Sequence, residues 1–517
     1  MKIFLSDHSH HRRVRSEENE LPLKRVGRGT FRVVSFVALL MGMTSAARSQ
    51  QPSFVPSWVK DAVFYQIFPD RFANGDPTND PPGSESWGGV PTSRNTFGGD
   101  LQGIIDHLDY LSRLGINAVY LNPIFESGSN HKYNTTDYLK IDPHFGDDAI
   151  FRKLIDSCHS RGIRVILDAV FNHTGVDFFA FVDLKKNGER SRYSGWYNAY
   201  GYPLGPAKKP NYECWRNHGS LPKLMTGNPE VRRYLFDVTR HWMEQGIDGW
   251  RLDAADEIPH EFWIDWRTFV KSIDPDAYIV GEIWKDGSAW LKGDQFDGVT
   301  NYHFRSACVD FFATRKLPAS EFARGLEKQH ASYGSEVNPG LMNLLGSHDT
   351  ERFLTLCKGD TSAVKLAVLF QMTFTGTPIL YYGDEVGMKG GADPGCRGTM
   401  VWEPERQDSG LLETYRSLIA MRKAHPVFRS GSYDSLLTDD RAGIHAFSRH
   451  DRAGTAIIVL NNSGTSQTVK VPLRQRDGIQ HLQQVWPESG ETVIRGSSLA
   501  LTLPAHTGTV HTGGEER

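Results

Sequence analysis

Short apolar runs rich in β-forming residues alternate with amphipathic helical patterns from Trp58 to Gly387, and this alternation limits the possible folds of the 517-residue chain. Strands that alternate with helices form parallel sheets built from β–α units. Helical patterns lie between most of the runs, as at 104–114 and 231–245. We count eight candidate strands: 62–68, 118–121, 164–169, 249–252, 278–282, 298–301, 341–346 and 379–382. The pattern predicts the α/β class, as a (β/α)8 TIM barrel with functional residues where strands end.

Two departures from this regular pattern predict how the chain is divided. More than fifty residues rich in Gly, Pro, Tyr and Lys follow the third strand, so we predict an inserted loop subdomain over 173–228. After a last helix at 411–423, short strands separated by Pro, Gly and Asn predict a C-terminal antiparallel β-sandwich over 427–517. The barrel domain then comprises 50–426.

The first 49 residues predict an N-terminal extension with a signal peptide. Basic residues from Lys24 to Arg32 precede an apolar run at 33–43, and small residues follow at 45–47. Such a run is too short to span a bilayer. We expect cleavage near Ala47 or Ser49, a secreted or periplasmic protein, and no membrane association in the mature form. An uncleaved signal anchor is the alternative.

Composition narrows the classes of ligand. A net charge of −3 gives no electrostatic reason to expect nucleic acid as a partner. Twelve Trp, 18 Tyr and 28 Phe mildly favour carbohydrate, because sugar rings stack on aromatic faces. Without a CxxC pair or a Cys/His cluster, neither a zinc site nor a disulfide scaffold is indicated. We expect the five scattered cysteines to be unpaired thiols, and a single disulfide is the alternative. These cysteines are Cys158, Cys214, Cys308, Cys357 and Cys396.

Carboxylates at the ends of neighbouring strands are the strongest chemical signal. Asp253 follows the fourth strand and Glu282 ends the fifth, which would place them side by side, and Asp349 could reach the same cavity. Retaining glycoside hydrolysis needs two carboxyl groups about 5–5.5 Å apart. Arg251 would face inward beside Asp253, lower its pKa and keep it ionised. The apolar neighbours of Glu282 could raise its pKa towards the range of a general acid.

Four segments together resemble the α-amylase family of glycoside hydrolases: 168–173 (DAVFNH), 249–253 (GWRLD), 281–284 (GEIW) and 346–349 (GSHD). They occur in the family's order, and 115–123 and 376–387 match as well. The resemblance implies that Asp253 is the nucleophile, Glu282 the general acid/base, and Asp349 the carboxylate that orients sugar hydroxyls and stabilises the transition state. It also implies a set of substrate-binding side chains: Tyr133, His173, Arg251, Trp284, His348, Asp393 and Arg397.

Subfamily signals point to one branch of that family. The segment 221–224 (LPKL) is similar to a motif of neopullulanases, cyclomaltodextrinases and maltogenic amylases. Asp256 and Glu257 stand where this branch usually has Asn-Glu, so Glu257 joins the predicted substrate-binding set and Asp256 departs from the pattern. The branch usually carries an additional N-terminal β-domain that builds a dimer. Here the barrel begins near Trp58, which favours a monomer and a more open cleft, although the oligomeric state stays open.

A loop punctuated by Gly and Pro predicts a Ca²⁺ site. Calcium binds six to eight oxygen ligands from carboxylates, amides and backbone carbonyls. The pattern is similar to a calcium loop of cyclodextrin glucanotransferases, and an Asx-rich turn without metal is the alternative. The predicted ligands are Asn74, Asp76, Asn79, Asp80, Gly98 and Asp100. Asn172 matches an asparagine of a second, central calcium site, but partners for it in the inserted subdomain are not recognisable.

The resemblance implies a retaining glycoside hydrolase that cleaves α-1,4 and, in branched substrates, α-1,6 glucosidic bonds. Maltooligosaccharides, cyclodextrins, starch and pullulan are the expected substrates. A glucosyl-transferring or isomerising enzyme of the same family is the first alternative, because it would form the same covalent intermediate. A non-catalytic binding relative is the second, and the presence of all three predicted catalytic carboxylates disfavours it.

Overall fold

The computed structural model describes residues 54–452, 454–473, 481–487, 493–495 and 497–513. The predicted signal peptide and its cleavage site lie outside the described residues. Within these ranges, no helix combines the length and the apolar character that a membrane crossing would require.

The barrel strands are short and buried, except for exposed Arg164 at the start of the third barrel strand. The strands up to residue 381 are β1 (Phe64–Ile67), β2 (Ala118–Leu121), β3 (Phe125–Ser127), β4 (Thr135–Ile141), β5 (Arg164–Ala169), β6 (Gly249–Leu252), β7 (Tyr278–Gly281), β8 (Gly298–Val299), β9 (Met342–Leu344) and β10 (Thr377–Tyr381). All except β3 and β4 form one parallel sheet in the order β8-β7-β6-β5-β2-β1-β10-β9. A parallel bridge between Thr300 and Met342 closes the sheet into a ring. The predicted (β/α)8 barrel is therefore confirmed.

Helices surround this sheet, and their apolar spacing explains their position. In the helix Pro229–Glu244, buried Val231, Leu235, Val238 and Trp242 recur at intervals of three to four residues, so one face packs on the barrel. The helices are α1 (Ser57–Asp61), α2 (Pro69–Phe72), α3 (Leu101–Asp106), α4 (Leu108–Leu114), α5 (Asp148–His159), α6 (Phe179–Asn187), α7 (Pro229–Glu244), α8 (His260–Ile273), α9 (Tyr302–Cys308), α10 (Ala319–Tyr333), α11 (Phe353–Leu356), α12 (Thr361–Thr373), α13 (Ser409–Ala424) and α14 (Val427–Ser430).

The interior of the barrel is filled by side chains from its own strands. Phe64, Ile166, Tyr278, Met342 and Ile379 belong to one fully packed cluster inside the ring. Because side chains fill the interior, no channel runs through the barrel. A ligand can therefore bind only at the loops beyond the strand ends.

Two segments between strands carry residues to that end of the barrel. The antiparallel hairpin β3–β4 follows β2, and its connecting residues 128–134 include Tyr133. After β5, the segment predicted as an inserted subdomain contains α6 and isolated bridges that pair His173 with Lys223 and Cys214 with Pro222. The backbone N–H of Leu224 donates to the carbonyl of Asn172 at 2.9 Å, so this segment is tied to the end of β5.

The C-terminal part forms two antiparallel sheets, as expected for a β-sandwich. Its strands are β11 (Ser432–Asp439), β12 (Ile444–Asp451), β13 (Gly454–Asn461), β14 (Gln467–Pro472), β15 (Gln483–Trp486), β16 (Val493–Arg495), β17 (Ser498–Leu503) and β18 (Thr507–Gly513). One sheet has the order β11-β12-β13-β18-β15 and the other β14-β17-β16. Side chains including Ile457, Val459, Val471 and Leu499 pack in one apolar cluster. All five cysteines are unpaired thiols.

Candidate active site

The predicted catalytic carboxylates meet at the carboxyl ends of the barrel strands. Asp253 directly follows β6, and Glu282 directly follows β7. These strands pair in parallel with Leu252 opposite Gly281, so the next residue of each strand reaches the same rim. Asp349 lies beyond β9 on the closing side of the ring. The structure thus places on one rim the two residues that were predicted to act together.

One guanidinium connects the carboxyl groups of this rim. Arg251 is buried in β6, and its Nη1 lies 2.8 Å from Asp168 Oδ1 and 3.0 Å from Asp253 Oδ1. Its Nη2 lies 3.0 Å from Glu282 Oε1. Because the guanidinium is planar and donates in fixed directions, it fixes where the three carboxyl groups lie relative to one another.

Two further donors position Glu282. The backbone N–H of Ala254 donates to Oε2 at 2.9 Å, and the indole N–H of Trp284 donates to Oε1 at 3.0 Å. Ala254 has a φ of 44°, in the left-handed region that an alanine rarely adopts. This backbone conformation directs its N–H from the end of β6 towards the carboxyl group on β7.

The pKa of Asp253 differs from the sequence-based expectation. Burial raises this pKa well above its ordinary value, the negative charge of Glu282 raises it further, and Arg251 opposes both effects. The expectation that Arg251 would keep the pKa low is therefore wrong for the site without substrate. Arg251 acts in the expected direction, but the loss of solvent and the neighbouring carboxylate outweigh it.

Tyr133 and His348 form a second part of the site. Their rings are stacked with centroids 5.5 Å apart, and the Tyr133 hydroxyl lies 2.7 Å from His348 Nε2. Amides of Gln66 and Asn122 lie 2.7 and 3.2 Å from His348 Nδ1. Burial and the nearby Arg397 and Arg251 lower the pKa of His348 well below its usual value. A neutral imidazole that accepts these amide bonds at Nδ1 carries its proton on Nε2.

Asp349 belongs to a chain of charged groups on the same side. His348 Nε2 lies 3.0 Å from Asp349 Oδ2, and Arg397 Nη2 lies 3.1 Å from Asp349 Oδ1. Arg397 Nε also lies 3.1 Å from Asp393 Oδ1. The structure therefore brings together Asp349, Asp393 and Arg397, all three of which were predicted as site residues.

The remaining residues predicted to bind substrate are His173, Glu257 and Trp284. His173 is buried, its Nε2 has no hydrogen-bond partner among the described residues, and burial lowers its pKa to about 3. Glu257 Oε2 lies 3.2 Å from Lys223 Nζ of the LPKL segment. Trp284 is 48% exposed, although one face of its indole stacks on Tyr302 at a centroid distance of 3.6 Å.

The predicted calcium loop contains oxygen atoms that lack hydrogen-bond donors. Asn74 Oδ1 and Asn79 Oδ1 are buried and have no hydrogen-bond partner among the described residues, and the Asn74 amide N–H donates to Asp80 Oδ1 at 2.8 Å. Gly98 has a φ of 78°, in the left-handed region that favours glycine, and a Cβ atom there would also meet the Asp80 carboxyl group. Two orphaned amide oxygens beside a carboxylate are a donor set that suits Ca²⁺.

The other predicted ligands of this loop are engaged within it. Asp100 accepts hydrogen bonds from the backbone N–H groups of Gly75, Asp76 and Gly103 and from the Asn79 side-chain amide. Asp76 Oδ1 accepts from Thr78. Within the described residues, no group of three or more His, Cys, Asp and Glu side chains is arranged to hold a metal ion. The fit to Ca²⁺ therefore depends on the amide and backbone oxygens.

Sequence reasoning missed several residues of the site. Gln66, Asn122 and Tyr302 hold His348 and Trp284 in place, yet they carry no charge and belong to none of the four motif segments. Gln66 and Asn122 were detectable in principle, because each is a polar residue at the end of a buried barrel strand. The amide of Ala254 could not be found, since it depends on a backbone angle.

Comparisons with known proteins bear on what this site does. Residues 66–404 match the family model described as the alpha amylase catalytic domain. The chain is 50% identical over 459 residues to neopullulanase 2 of Thermoactinomyces vulgaris, which covers 88% of this chain and 78% of that protein. It is 52% identical over 422 residues to a cyclomaltodextrinase of Thermoanaerobacter pseudethanolicus, covering 80% of this chain and 72% of the relative.

A solved structure resembles almost the whole described fold. The cyclic α-maltosyl-(1→6)-maltose hydrolase of Arthrobacter globiformis, in complex with its cyclic saccharide, matches with a TM-score of 0.82 and 40% identity. The match covers 89% of this chain and 99% of that structure.

Proposed function

Because the chain belongs to the α-amylase family of glycoside hydrolases, we propose that it cleaves α-1,4 glucosidic bonds, and α-1,6 bonds in branched substrates. The family predicted from the four motif segments is thereby confirmed. Maltooligosaccharides, cyclodextrins and pullulan are the substrates we propose, in line with the names of the neopullulanase and cyclomaltodextrinase relatives. The observation that carries the proposal is that Asp253 and Glu282 contact the two terminal nitrogens of one guanidinium.

In the proposed mechanism, the carboxylate of Asp253 attacks the anomeric carbon while Glu282 donates its proton to the glycosidic oxygen. The bond between the anomeric carbon and the glycosidic oxygen breaks, and the leaving sugar departs with that proton. A covalent glycosyl ester forms on Asp253. Glu282, now a carboxylate, takes a proton from water, whose oxygen displaces Asp253 from the anomeric carbon. Two inversions give net retention of configuration.

The protonation of the pair follows from its surroundings. Burial and the negative charge of Glu282 raise the pKa of Asp253 well above its ordinary value, and Arg251 opposes this shift. The productive form has an ionised Asp253 and a proton on Glu282. Arg251 lies within reach of both groups and stabilises whichever one is ionised.

The other residues of the rim bind the sugar in this proposal. Asp349 and His348 accept and donate hydrogen bonds to hydroxyl groups of the sugar bound on the non-reducing side, and the Tyr133 ring stacks on it. Trp284 contacts the sugar on the leaving side, because its exposed indole stands directly next to Glu282. Asp393 and Arg397 contact a sugar further from the bond that is cut.

We expect Glu282→Gln to reduce kcat on pullulan about 10²- to 10⁴-fold, the usual contribution of a general acid or base. The loss should be smaller for formation of the intermediate from α-maltosyl fluoride, since fluoride leaves without a proton. Asp253→Asn should abolish both reactions, because it removes the nucleophile. Burst kinetics with α-maltosyl fluoride measure the first step separately.

The control is Glu413→Gln, an equally conservative change at an exposed position of α13. It should leave both rates unchanged. Full activity of Glu282→Gln on pullulan would remove the assignment of Glu282.

A product time course decides between substrates and between hydrolysis and transfer. Fast opening of γ-cyclodextrin and release of panose from pullulan would support the neopullulanase and cyclomaltodextrinase type of activity. Saccharides longer than the substrate would indicate that a sugar hydroxyl, rather than water, resolves the intermediate. Rapid cleavage of starch with intact cyclodextrin would contradict the proposal that cyclodextrins are substrates.

We also propose that the loop around Asn74 and Asp80 binds Ca²⁺ through its amide, carboxylate and backbone oxygens. Calcium there would stabilise the loop, and none of the catalytic steps above involves it.

We propose export through the predicted signal peptide, which cell fractionation tests. We also propose that the protein is a monomer, which sedimentation tests.

A further inference from the structure

A cavity of about 460 Å³ opens beside the proposed calcium loop, and none of the catalytic or sugar-binding residues described above lines it. It is lined by residues 84–87, Phe97, His107 and Trp402, and by Ala73, Asn74 and Asp80 at the proposed calcium loop. The lining residues that matter here are Glu85, Ser86, Trp87 and Trp402. The volume lies within the range of about 300–1,000 Å³ that is usual for small-molecule sites.

The cavity combines an aromatic wall with oxygen acceptors. The indole N–H of Trp87 is already bonded to the carbonyl of Met400 at 2.9 Å, so its ring is held in place. Trp87 is half-buried and packs partly against the core, and among the described residues no other aromatic ring stacks on it, so part of its ring faces the cavity. Glu85 supplies a carboxylate and Ser86 supplies a hydroxyl group, and both residues are exposed.

This lining selects a chemical class of ligand. None of the residues that line the cavity is lysine or arginine, so an anion would meet only negative or neutral groups. A sugar fits better, because its C–H face packs on an indole and its hydroxyl groups donate to carboxylates. We propose that this cavity is a second saccharide-binding site, which takes a short α-glucan such as maltose.

The choice of an α-glucan rests on the proposed function, since only the proposed activity brings such saccharides to this protein. The cavity is also connected to the catalytic rim. The N–H of Gly88 donates to Thr399 Oγ1 at 2.9 Å, and Arg71 Nη1 donates to the carbonyl of Arg397 at 2.6 Å. The N–H of Met400 in turn donates to the carbonyl of Arg71 at 2.8 Å. A saccharide seated against Trp87 therefore contacts a loop that is hydrogen-bonded to the segment 397–400.

The test counts bound maltose by equilibrium dialysis against the labelled sugar, in calcium-containing buffer. Asp253→Asn serves as the background, because it prevents turnover during the measurement. Adding Trp87→Ala should remove one equivalent of bound maltose, whatever number the active site retains. Trp87→Phe keeps a ring face but loses the bond to Met400, so it should keep this equivalent at reduced affinity.

A second variant leaves Trp87 in place. Ser86 is exposed and lines the cavity, so Ser86→Trp should fill the space and remove the same equivalent. Unchanged stoichiometry in folded Ser86→Trp and Trp87→Ala proteins would overturn the proposal, and so would unchanged stoichiometry in Ser86→Trp alone if Trp87→Ala does not fold. Hydrolysis of pullulan by the unmodified protein is measured separately, so failure of the proposed function is distinguishable from absence of this site.

Discussion

The three carboxyl groups around Arg251 show how a single side chain can organise a reactive site at a cost to stability. Asp168, Asp253 and Glu282 all lie within hydrogen-bonding distance of its guanidinium. One positive charge cannot compensate three buried negative charges, and the pKa values of Asp168 and Asp253 are both raised by burial. The site is therefore arranged for chemistry rather than for stability.

We predict that Asp253→Asn raises the melting temperature at neutral pH. A raised pKa means that the folded state favours the protonated form, so this stability is fully present below the ordinary Asp value of about 3.8 and is lost as pH rises through the higher folded value. Asparagine stays neutral and avoids that loss. Melting curves between about pH 4 and pH 7 should show a difference that grows with pH.

The matched control is Asp109→Asn, which changes an exposed carboxyl group paired with Arg161. Its effect should be small and nearly constant with pH. A wild-type protein that is more stable than Asp253→Asn at neutral pH would contradict the predicted sign.

The same residues mark a limit of sequence analysis. The positions of Asp253 and Glu282 could be predicted, because a residue that follows a barrel strand must reach the rim. The pKa of Asp253 could not, since it depends on how much solvent is excluded and on which carboxyl groups come from other strands. Trp284 was predicted to contact substrate, but its hydrogen bond to Glu282 follows only from the rotamer of the indole.

At the scale of helices and strands, continuous apolar runs were informative and irregular segments were not. The eight barrel strands could be predicted because each is a short apolar run buried on both faces. The hairpin β3–β4 was missed because polar and small residues at 127–136 hide its pairing, which contains register shifts. One predicted helix at 104–114 is instead α3 and α4, which meet at His107.

The inserted segment depends on the start of α7, and this suggests a stability experiment. The Asn228 side chain accepts a hydrogen bond from the N–H of Glu230 as the N-cap of α7, and its amide donates to the carbonyl of Gly195 at 2.8 Å. We predict that Asn228→Ala lowers the free energy of unfolding by about 1 kcal/mol or more, because it removes both bonds. Denaturant unfolding measures this change.

Asn228→Asp separates the two contributions. Aspartate caps a helix as well as asparagine does, but it cannot donate to Gly195, so its loss should be smaller than that of Asn228→Ala. Equal losses in the two variants would show that the link to Gly195, rather than the cap, carries the effect.

At the scale of the whole molecule, the barrel and the C-terminal sheets share one apolar core. Phe447, Ile458 and Val510 of the larger C-terminal sheet belong to the same buried cluster as residues of α12 and α13. Arg449 of β12 reaches across and donates to the carbonyl of Thr373 at the end of α12. These contacts suggest that the sheets brace the helices at one side of the barrel.

Removal of calcium should lower the stability of the entire protein, because the proposed loop packs against α3 at the barrel wall. We predict a lower melting temperature in EDTA, restored by added Ca²⁺, with about 2.7 kcal/mol of stabilisation when the ion is at 100 times its Kd. Asp80→Asn should lose most of this dependence, whereas Asp109→Asn should keep it. A melting temperature that is the same with and without EDTA would contradict the proposed site.

The contacts of Arg251 and Arg397 have a consequence for the kind of molecule that this pocket holds most tightly. Five carboxyl groups touch these two guanidiniums: Asp168, Asp253, Glu282, Asp349 and Asp393. When Glu282 carries the catalytic proton, the other four carboxyl groups still outnumber the two guanidiniums, and burial lowers the pKa values of His348 and His173. A neutral sugar gains little from this surplus, but the partly cationic ring of an oxocarbenium-like transition state gains much. The pocket is therefore most complementary to a positive charge that exists only while the glycosidic bond is breaking.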